Sequence, residues 1–410
     1  MASPVRVLAI GNVYPPHHLG GYEIIWRGVM RHLRREGHPV RVLASDHHDP
    51  AVSGDAPEDP GVHRELEWYW RDHEWPALGL RARLGLERRN AARFDRHVRE
   101  LNPDVITWWS LGGLSLSLLE RARQAGIPSL LFVLDPWPSY GRERDLWLRT
   151  WAHLPFAAGL VQRATGIPAR VRWADVGRWV FCSATMAQST AAAGLRIARA
   201  RSTILSPGVE RSFLEVLAEP APPPWRWRLL YLGRVVEQKG VATAVASLAE
   251  LPPGAHLSIV GEGDPAYRAQ LLGLAERLGV AERVSLEPAR PREQLVELIR
   301  GADAVLFPVE WPEPWGLVPL EAMALGRPVL ATGTGGSGDY LRDERNSLLF
   351  RAGDPAALAA AVRRLAADER LRQRLIEGGR QTAAAHSEDA FNQRALAEIL
   401  AAARAPRARR

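Results

Sequence analysis

At 410 residues, with 46% hydrophobic and 24% charged side chains, the chain is too long for one core and far from the composition of disorder, so two globular domains are expected. A single cysteine, Cys182, excludes an internal disulfide and a multi-cysteine zinc site and makes a reducing cytoplasm the default compartment. The formal charge of +7 and a pI near 10.1 invite a nucleic-acid reading, but residues 1–207 hold 27 arginines against 20 acidic residues and the rest is balanced, so the excess is local.

Val5–Gly11 reads as a short buried strand, too short with its flanks for a leader or a spanning helix, and no other run approaches the apolar length of a membrane span. A Pro-Gly loop to Gly21 and an amphipathic helix to about Glu36 follow, then a strand at Val40–Ser45. Strand-like runs recur at Val105–Trp109, Ser129–Asp135 and Arg178–Cys182, with helical patterns at Ala91–Leu101 and Gly113–Gln124. Between 136 and 180, Arg142, Arg144, Arg149, Arg163, Arg170, Arg172 and Arg178 mix with Trp137, Trp147, Trp151, Trp173 and Trp179, a combination suited to an anionic or sugar-bearing partner. Order breaks around Ser206-Pro207-Gly208, and Ala218–Pro224 looks like a linker. The alternation restarts with strands at Leu229–Gly233, His256–Gly261, Arg283–Leu286, Ala304–Val309 and Pro328–Thr332. This βαβ alternation predicts parallel sheets in an α/β fold. The expected organisation is a first domain over 1–207, a linker over 208–225, a second domain over 226–385, a C-terminal helix over 386–403 returning to the first domain, and an Arg-rich tail over 404–410.

Ligands of open α/β sheets bind beyond the carboxyl ends of the strands, so the loops after strands carry the functional reading. Gly233-Arg-Val-Val-Glu-Gln-Lys-Gly240 places Arg234 and Lys239 at the mouth of a sheet, with glycines that let backbone approach an anion; a solvated turn with two surface charges is the plain alternative. Lys239 is the only lysine beside 52 arginines, a bias consistent with GC-rich coding, and its survival points to a place that wants a compact ammonium rather than a guanidinium fork. The second loop runs from Glu310 to Glu321, with Glu313 before a helix and Glu321 inside it. Gly316 opens that helix, and the amides of Leu317 and Val318 are candidates to receive phosphate. A carboxylate beside such a site can accept hydrogen bonds from sugar hydroxyls; the plain alternative has Glu321 facing solvent and Glu313 favouring the helix start.

Together these loops resemble the family 4 glycosyltransferases, retaining enzymes of the GT-B fold, and the resemblance spans nearly the whole chain. Glu313 and Glu321 match the family's two glutamates separated by seven residues; Gly233-Arg234 with Lys239-Gly240 match its Gly-Arg-x4-Lys-Gly element. Val260-Gly261-Glu262-Gly263 resembles its Val-Gly-x-Gly turn, and Gly335-Gly336 with Asp339 its Gly-Gly-x-x-Glu, here shortened to aspartate. Pro16-His17-His18-Leu19-Gly20-Gly21 resembles the glycine loop of the first domain. The resemblance implies two Rossmann-like domains whose parallel sheets face each other across a cleft. It further implies Arg234 and Lys239 on the donor diphosphate, Glu313 on the donor sugar, Glu321 on the ribose, and Gly20, Gly21, Gly233, Gly261, Gly316, Leu317 and Val318 around the donor. One departure concerns Val133-Leu134-Asp135, where the family often reads Val-His-Asp, so Asp135 either touches the acceptor or caps Pro136.

The resulting expectation is sugar transfer from a nucleoside-diphosphate-sugar to a hydroxyl of a sugar, lipid-linked or small-molecule acceptor, with retention and without a metal, since no Asp-x-Asp occurs. Asp135, Trp137, His17 and His18 are the acceptor-side candidates. His17, His18, His47 and His48 are adjacent pairs in loops rather than i,i+4 pairs on a helix, which favours a surface or substrate-facing role over a metal. A sugar-nucleotide epimerase of the same fold is the alternative enzyme. A basic nucleic-acid or membrane-surface protein is the alternative from another class, with nucleic acid disfavoured because no binding motif accompanies the arginines. Contact with an anionic membrane, at the inner face of a cytoplasmic membrane, stands as an accessory expectation.

Overall fold

The computed structural model describes residues 3–17, 20–49, 52, 57–70, 74–216 and 224–405. His18 and most of Ala218–Pro224 therefore lie outside the described residues. The chain divides into two compact units, Met1–Leu205 with Asn392–Arg410, and Ser206–Phe391. The last helix spans Glu388–Ala403.

The first unit holds a seven-stranded sheet of β1 (Val7–Ile10), β2 (Val40–Ser45), β3 (Val62–Leu66), β4 (Val105–Trp108), β5 (Ser129–Val133), β6 (Arg178–Phe181) and β7 (Ser202–Ile204), in the order β3-β2-β1-β4-β5-β6-β7. The second holds β8 (Arg228–Leu232), β9 (His256–Val260), β10 (Val284–Glu287), β11 (Ala304–Phe307), β12 (Val329–Ala331) and β13 (Leu348–Leu349), in the order β10-β9-β8-β11-β12-β13. Neighbouring strands pair in parallel; β1, for instance, pairs Val7 with Val40 and with Val105, and β8 pairs Leu229 with Leu257 and with Ala304. Every residue of β1, β4, β5 and β11 is buried, as required of strands covered on both faces by crossover helices.

Three strands escape the sequence reading for one reason: they lie at or next to a sheet edge and lack an apolar run. β3 reads Val-His-Arg-Glu-Leu, β7 is three residues long and β13 two. The helix expected at Ala91–Leu101 begins eleven residues earlier, at Leu80, in a stretch rich in arginine. The helix expected from Gly113 begins at Ser117, because Gly113 has φ 87° and packs where a Cβ would sit 2.2 Å from Nε1 of Trp68.

The Arg/Trp segment buries most of its rings. It folds into three short helices, Trp137–Arg144, Leu146–Trp151 and Pro155–Thr165, and its tryptophans turn inward. Trp137, Trp147 and Trp179 are buried, and Trp151 and Trp173 half-buried. Trp147 packs with Ala91 and Ile167, and its indole donates to Pro168 O at 2.9 Å. Beside this core, the buried Glu87 accepts from Tyr69 Oη at 2.7 Å and from Ser117 Oγ. Burial, reinforced by the nearby Asp145, pushes the Glu87 carboxyl up to about 8.

Candidate functional site

In the second sheet the strand order reverses between β8 and β11, which is where an open α/β sheet opens a crevice at its carboxyl edge. The loops after β8, β9, β11 and β12 interlock there through glycines that admit no side chain. A Cβ on Gly261 would lie 1.8 Å from Gly233 O, one on Gly240 1.9 Å from Pro308 O, and one on Gly335 2.4 Å from both N and O of Glu313. Hydrogen bonds complete the lock, with Val235 N to Glu262 O at 2.7 Å and Gly336 N to Glu313 O at 2.6 Å. Gly261, expected to make room for a ligand, thus makes room for the backbone of Gly233.

Inside this frame Lys239 and Glu313, 74 residues apart in sequence, meet at 2.6 Å between Nζ and Oε2. Trp311 Nε1 donates to the same oxygen at 2.8 Å, and Lys239 Nζ stands 5.8 Å from the centre of the Trp311 ring. Both charged side chains are largely covered, 13% and 11% exposed. Arg234, by contrast, is exposed, and its guanidinium has no hydrogen-bond or ion-pair partner among the described residues. Its loop is held by Tyr231 Oη, which donates to Arg234 O at 2.7 Å. Burial, then the Glu313 charge, raises the Tyr231 phenol, so it remains a donor. The site thus offers one uncommitted cation, one cation already paired with a carboxylate, and an indole donor that the sequence reading missed.

Glu321 sits in the helix Val318–Ala324 and is 3% exposed, so it does not face solvent. Its Oε1 accepts from Arg292 Nη2 at 2.7 Å, and Arg292 Nε also lies 2.7 Å from Glu210 Oε1. Burial alone would lower the Arg292 guanidinium; Glu321 and Glu210 hold it above its ordinary value instead. No motif marks Arg292, which reaches Glu321 only through the fold. Leu317 caps that helix, Gly316 has φ 87°, and Tyr340 Oη donates to Gly316 O at 2.6 Å. The amides of Leu317 and Val318 donate to no acceptor among the described residues.

The remaining candidates belong to the first unit, whose strand order reverses between β1 and β4. Gly20 precedes the helix Gly21–Arg35 and donates to Glu23 Oε2 at 3.0 Å, with open space where a Cβ would stand. Asp135 follows β5 and accepts from Tyr140 Oη at 2.9 Å and from Trp137 N at 3.3 Å, so it caps the turn it begins. Trp137 is fully buried and donates to Phe132 O at 3.1 Å, which places it in the core. His17 Nδ1 accepts from Asp49 N at 3.1 Å; desolvation and then Arg64 lower its pKa, so the ring is neutral at pH 7.

One histidine cluster lies elsewhere. On β3 the period of two puts His63 and Glu65 on one face, where His97 from the helix Leu80–Leu101 joins them within 4.8 Å. Arg41 Nη1 donates to His97 Nδ1 at 3.2 Å, which leaves the proton on Nε2, facing Glu65 Oε2 at 3.2 Å. Arg96 pairs with the same carboxylate. Two guanidiniums and the wrong tautomer make this a hydrogen-bonded network rather than a cation site.

Two parallel-sheet α/β units, with loops of this composition at the switch point of the second, define a GT-B architecture. Residues 19–213 match the family described as Glycosyltransferase Family 4, and residues 217–382 that described as Glycosyl transferases group 1. The chain belongs to the family 4 glycosyltransferases. Among curated relatives, the D-inositol 3-phosphate glycosyltransferase of Xylanimonas cellulosilytica is 37% identical over 154 residues, which is 37% of this chain and 37% of that protein. The match therefore spans well under half of that relative's length. Among solved structures, sucrose-phosphate synthase from Thermosynechococcus elongatus is similar with a TM-score of 0.72 at 20% identity, covering 97% of this chain and 100% of the other. Anabaena Alr3699/HepE in complex with UDP and glucose is similar with a TM-score of 0.71 at 19% identity, covering 97% and 99%. At such identities the two structures speak for the fold.

Proposed function

We propose that this protein transfers a sugar from a nucleoside-diphosphate-sugar to a hydroxyl of a sugar, lipid-linked or small-molecule acceptor, with retention of anomeric configuration and without a metal. The observation that carries the reading is the Lys239–Glu313 pair at 2.6 Å, beside the uncommitted Arg234, at the switch point of the second sheet. Arg234 meets the diphosphate first, as an exposed cation. Lys239 then exchanges Glu313 for a phosphate oxygen, and Glu313 turns its freed oxygen to the sugar hydroxyls, so the free protein already holds both groups at the reacting end of the donor. As the glycosidic bond breaks, negative charge grows on the leaving phosphate and the two cations stabilise it. Glu321, with Oε1 engaged by Arg292, has its second oxygen for the ribose.

Support for a nucleotide donor comes from family membership and from the structural relative Alr3699/HepE, whose crystal structure is a complex with UDP and glucose. Calorimetry of the full chain with UDP, GDP, ADP and dTDP, followed by proton NMR of the product anomer with the donor that binds, tests the reading. Tight binding of one diphosphate and a retained anomer, unaffected by a chelator, are expected. Binding of none, an inverted product, or epimerised donor without transfer would overturn it.

A further inference from the structure

With the tryptophans of the Arg/Trp segment turned inward, what the segment shows to solvent is different. Seven large hydrophobic side chains are exposed among the described residues, and three of them, Leu154, Phe156 and Leu160, fall within seven consecutive positions. Phe156 is 90% exposed, Leu160 65% and Leu154 55%. The helix Pro155–Thr165 buries its smaller residues, Ala158 fully and Val161 in part against the Trp147 cluster. Phe156, Leu160 and Arg163 follow each other at the i, i+4, i+7 spacing of one helix face, and that face points outward. A helix that only had to pack on its own domain would place its phenylalanine and leucine the other way round.

Charge says what covers this face. From Leu146 to Ala174 there are four arginines and no aspartate or glutamate. Arg149, Arg163 and Arg170 are exposed and have no side-chain hydrogen bond or ion pair among the described residues, whereas Arg172 lies 3.7 Å from Glu120. An exposed apolar stripe set among unpaired guanidiniums is the pattern of a helix lying in a membrane interface, with rings and aliphatic chains among the acyl chains and cations at anionic headgroups. No helix among the described residues is long and apolar enough to cross a membrane, so the contact is with its surface. A second copy of the chain would bring the same arginines against each other, and a nucleic acid would leave Phe156 and Leu160 against phosphates.

We propose that the helix Pro155–Thr165, with Leu154, is a membrane-docking element that inserts Leu154, Phe156 and Leu160 into an anionic phospholipid surface while Arg149, Arg163 and Arg170 bind its headgroups. The proposal is independent of the donor chemistry, because all six residues lie in the first unit, whereas Arg234, Lys239 and Glu313 belong to the second. Flotation of the full chain with vesicles of phosphatidylcholine, alone or with about a third phosphatidylglycerol, tests it at about 0.05 M and about 0.5 M salt. The wild type is expected to float with the anionic vesicles at low salt and to be released at high salt. Phe156→Ser with Leu160→Ser should lower partitioning by about tenfold or more. Arg149→Gln with Arg163→Gln and Arg170→Gln should lower it by about a hundredfold, at about fivefold for each arginine. Both variants should keep the wild-type melting temperature, since the altered side chains are exposed. No flotation of the wild type at any salt, or undiminished flotation of both variants, overturns the proposal. So does self-association that the serine variant abolishes in the absence of vesicle binding, which would assign the face to a second copy.

Discussion

Replacing Lys239 is the most direct probe of the site. Its ammonium lies 2.6 Å from Glu313 with both side chains nearly covered, so Lys239→Ala deletes the inner cation of the proposed diphosphate site and leaves Glu313 with the Trp311 indole. A charge contact near 4 Å is worth about 4 kcal/mol at an effective dielectric of about 20, and truncating one partner of a buried charged pair costs about 2–5 kcal/mol. The expected loss in kcat/KM is therefore about thirtyfold to several thousandfold. Lys239→Arg keeps the charge but replaces a point donor with a broad fork, and the neighbouring Gly240, pressed on Pro308 O, gives the backbone no room to retreat. A fall of about tenfold or more is expected there, with the fold intact. Because the two side chains touch, Lys239→Ala and Glu313→Gln should be non-additive, with a coupling of about 1–3 kcal/mol. The assay is steady-state kinetics against varied donor, with circular dichroism and melting temperature as folding controls. Wild-type kinetics in Lys239→Arg would refute the compact-ammonium argument, near-wild-type kinetics in Lys239→Ala the diphosphate site itself, and strict additivity the exchange of partners.

Glu313→Gln should lower turnover at least about tenfold, by loss of a charge-assisted bond to the sugar. Calorimetry should find nucleoside diphosphate bound as well as before or better, since Lys239 is released; a parallel loss of both would make Glu313 a structural residue. Arg292→Met leaves the buried Glu321 without its cation and should cost about 3 kcal/mol in a denaturant titration, and unchanged stability would show that the pair holds nothing together. Glu87 has a folded pKa above its unfolded one, so the stability it contributes is full below about 4.5 and is lost as pH rises through about 8. Glu87→Gln should therefore gain on the wild type between pH 5 and about 9, by up to about 1.4 kcal/mol per pH unit, and a difference in stability that stays constant over that range would refute it.

The core strands were legible because burial on both faces forces a continuous apolar run, so β1, β2, β4 to β6, β8, β9, β11 and β12 announce themselves within a residue or two. The edge strand β3 does not, since Val-His-Arg-Glu-Leu has the composition of a loop and becomes a strand only beside β2. Glu313, Lys239 and the glycines were legible as a spaced set, but their purposes were only half readable. That Gly261 yields to Gly233, that Lys239 and Glu313 pair, and that Arg292 holds Glu321 are facts about contacts between residues 28 to 74 positions apart. The Arg/Trp segment misleads because tryptophan serves both core and interface, and composition alone cannot say which way a ring turns.

The solitary lysine has a chemical consequence. In a chain with 52 arginines and one lysine, an amine-selective acylating reagent meets a single side-chain target, and that target stands in the proposed donor site against Glu313. Labelling of this protein through side-chain amines is therefore labelling of the proposed donor site by default, with no engineered handle. Immobilisation through those amines would obstruct the proposed donor site, whereas the rate at which a small reagent marks Lys239 becomes a gauge of how often the ammonium is free of both Glu313 and donor.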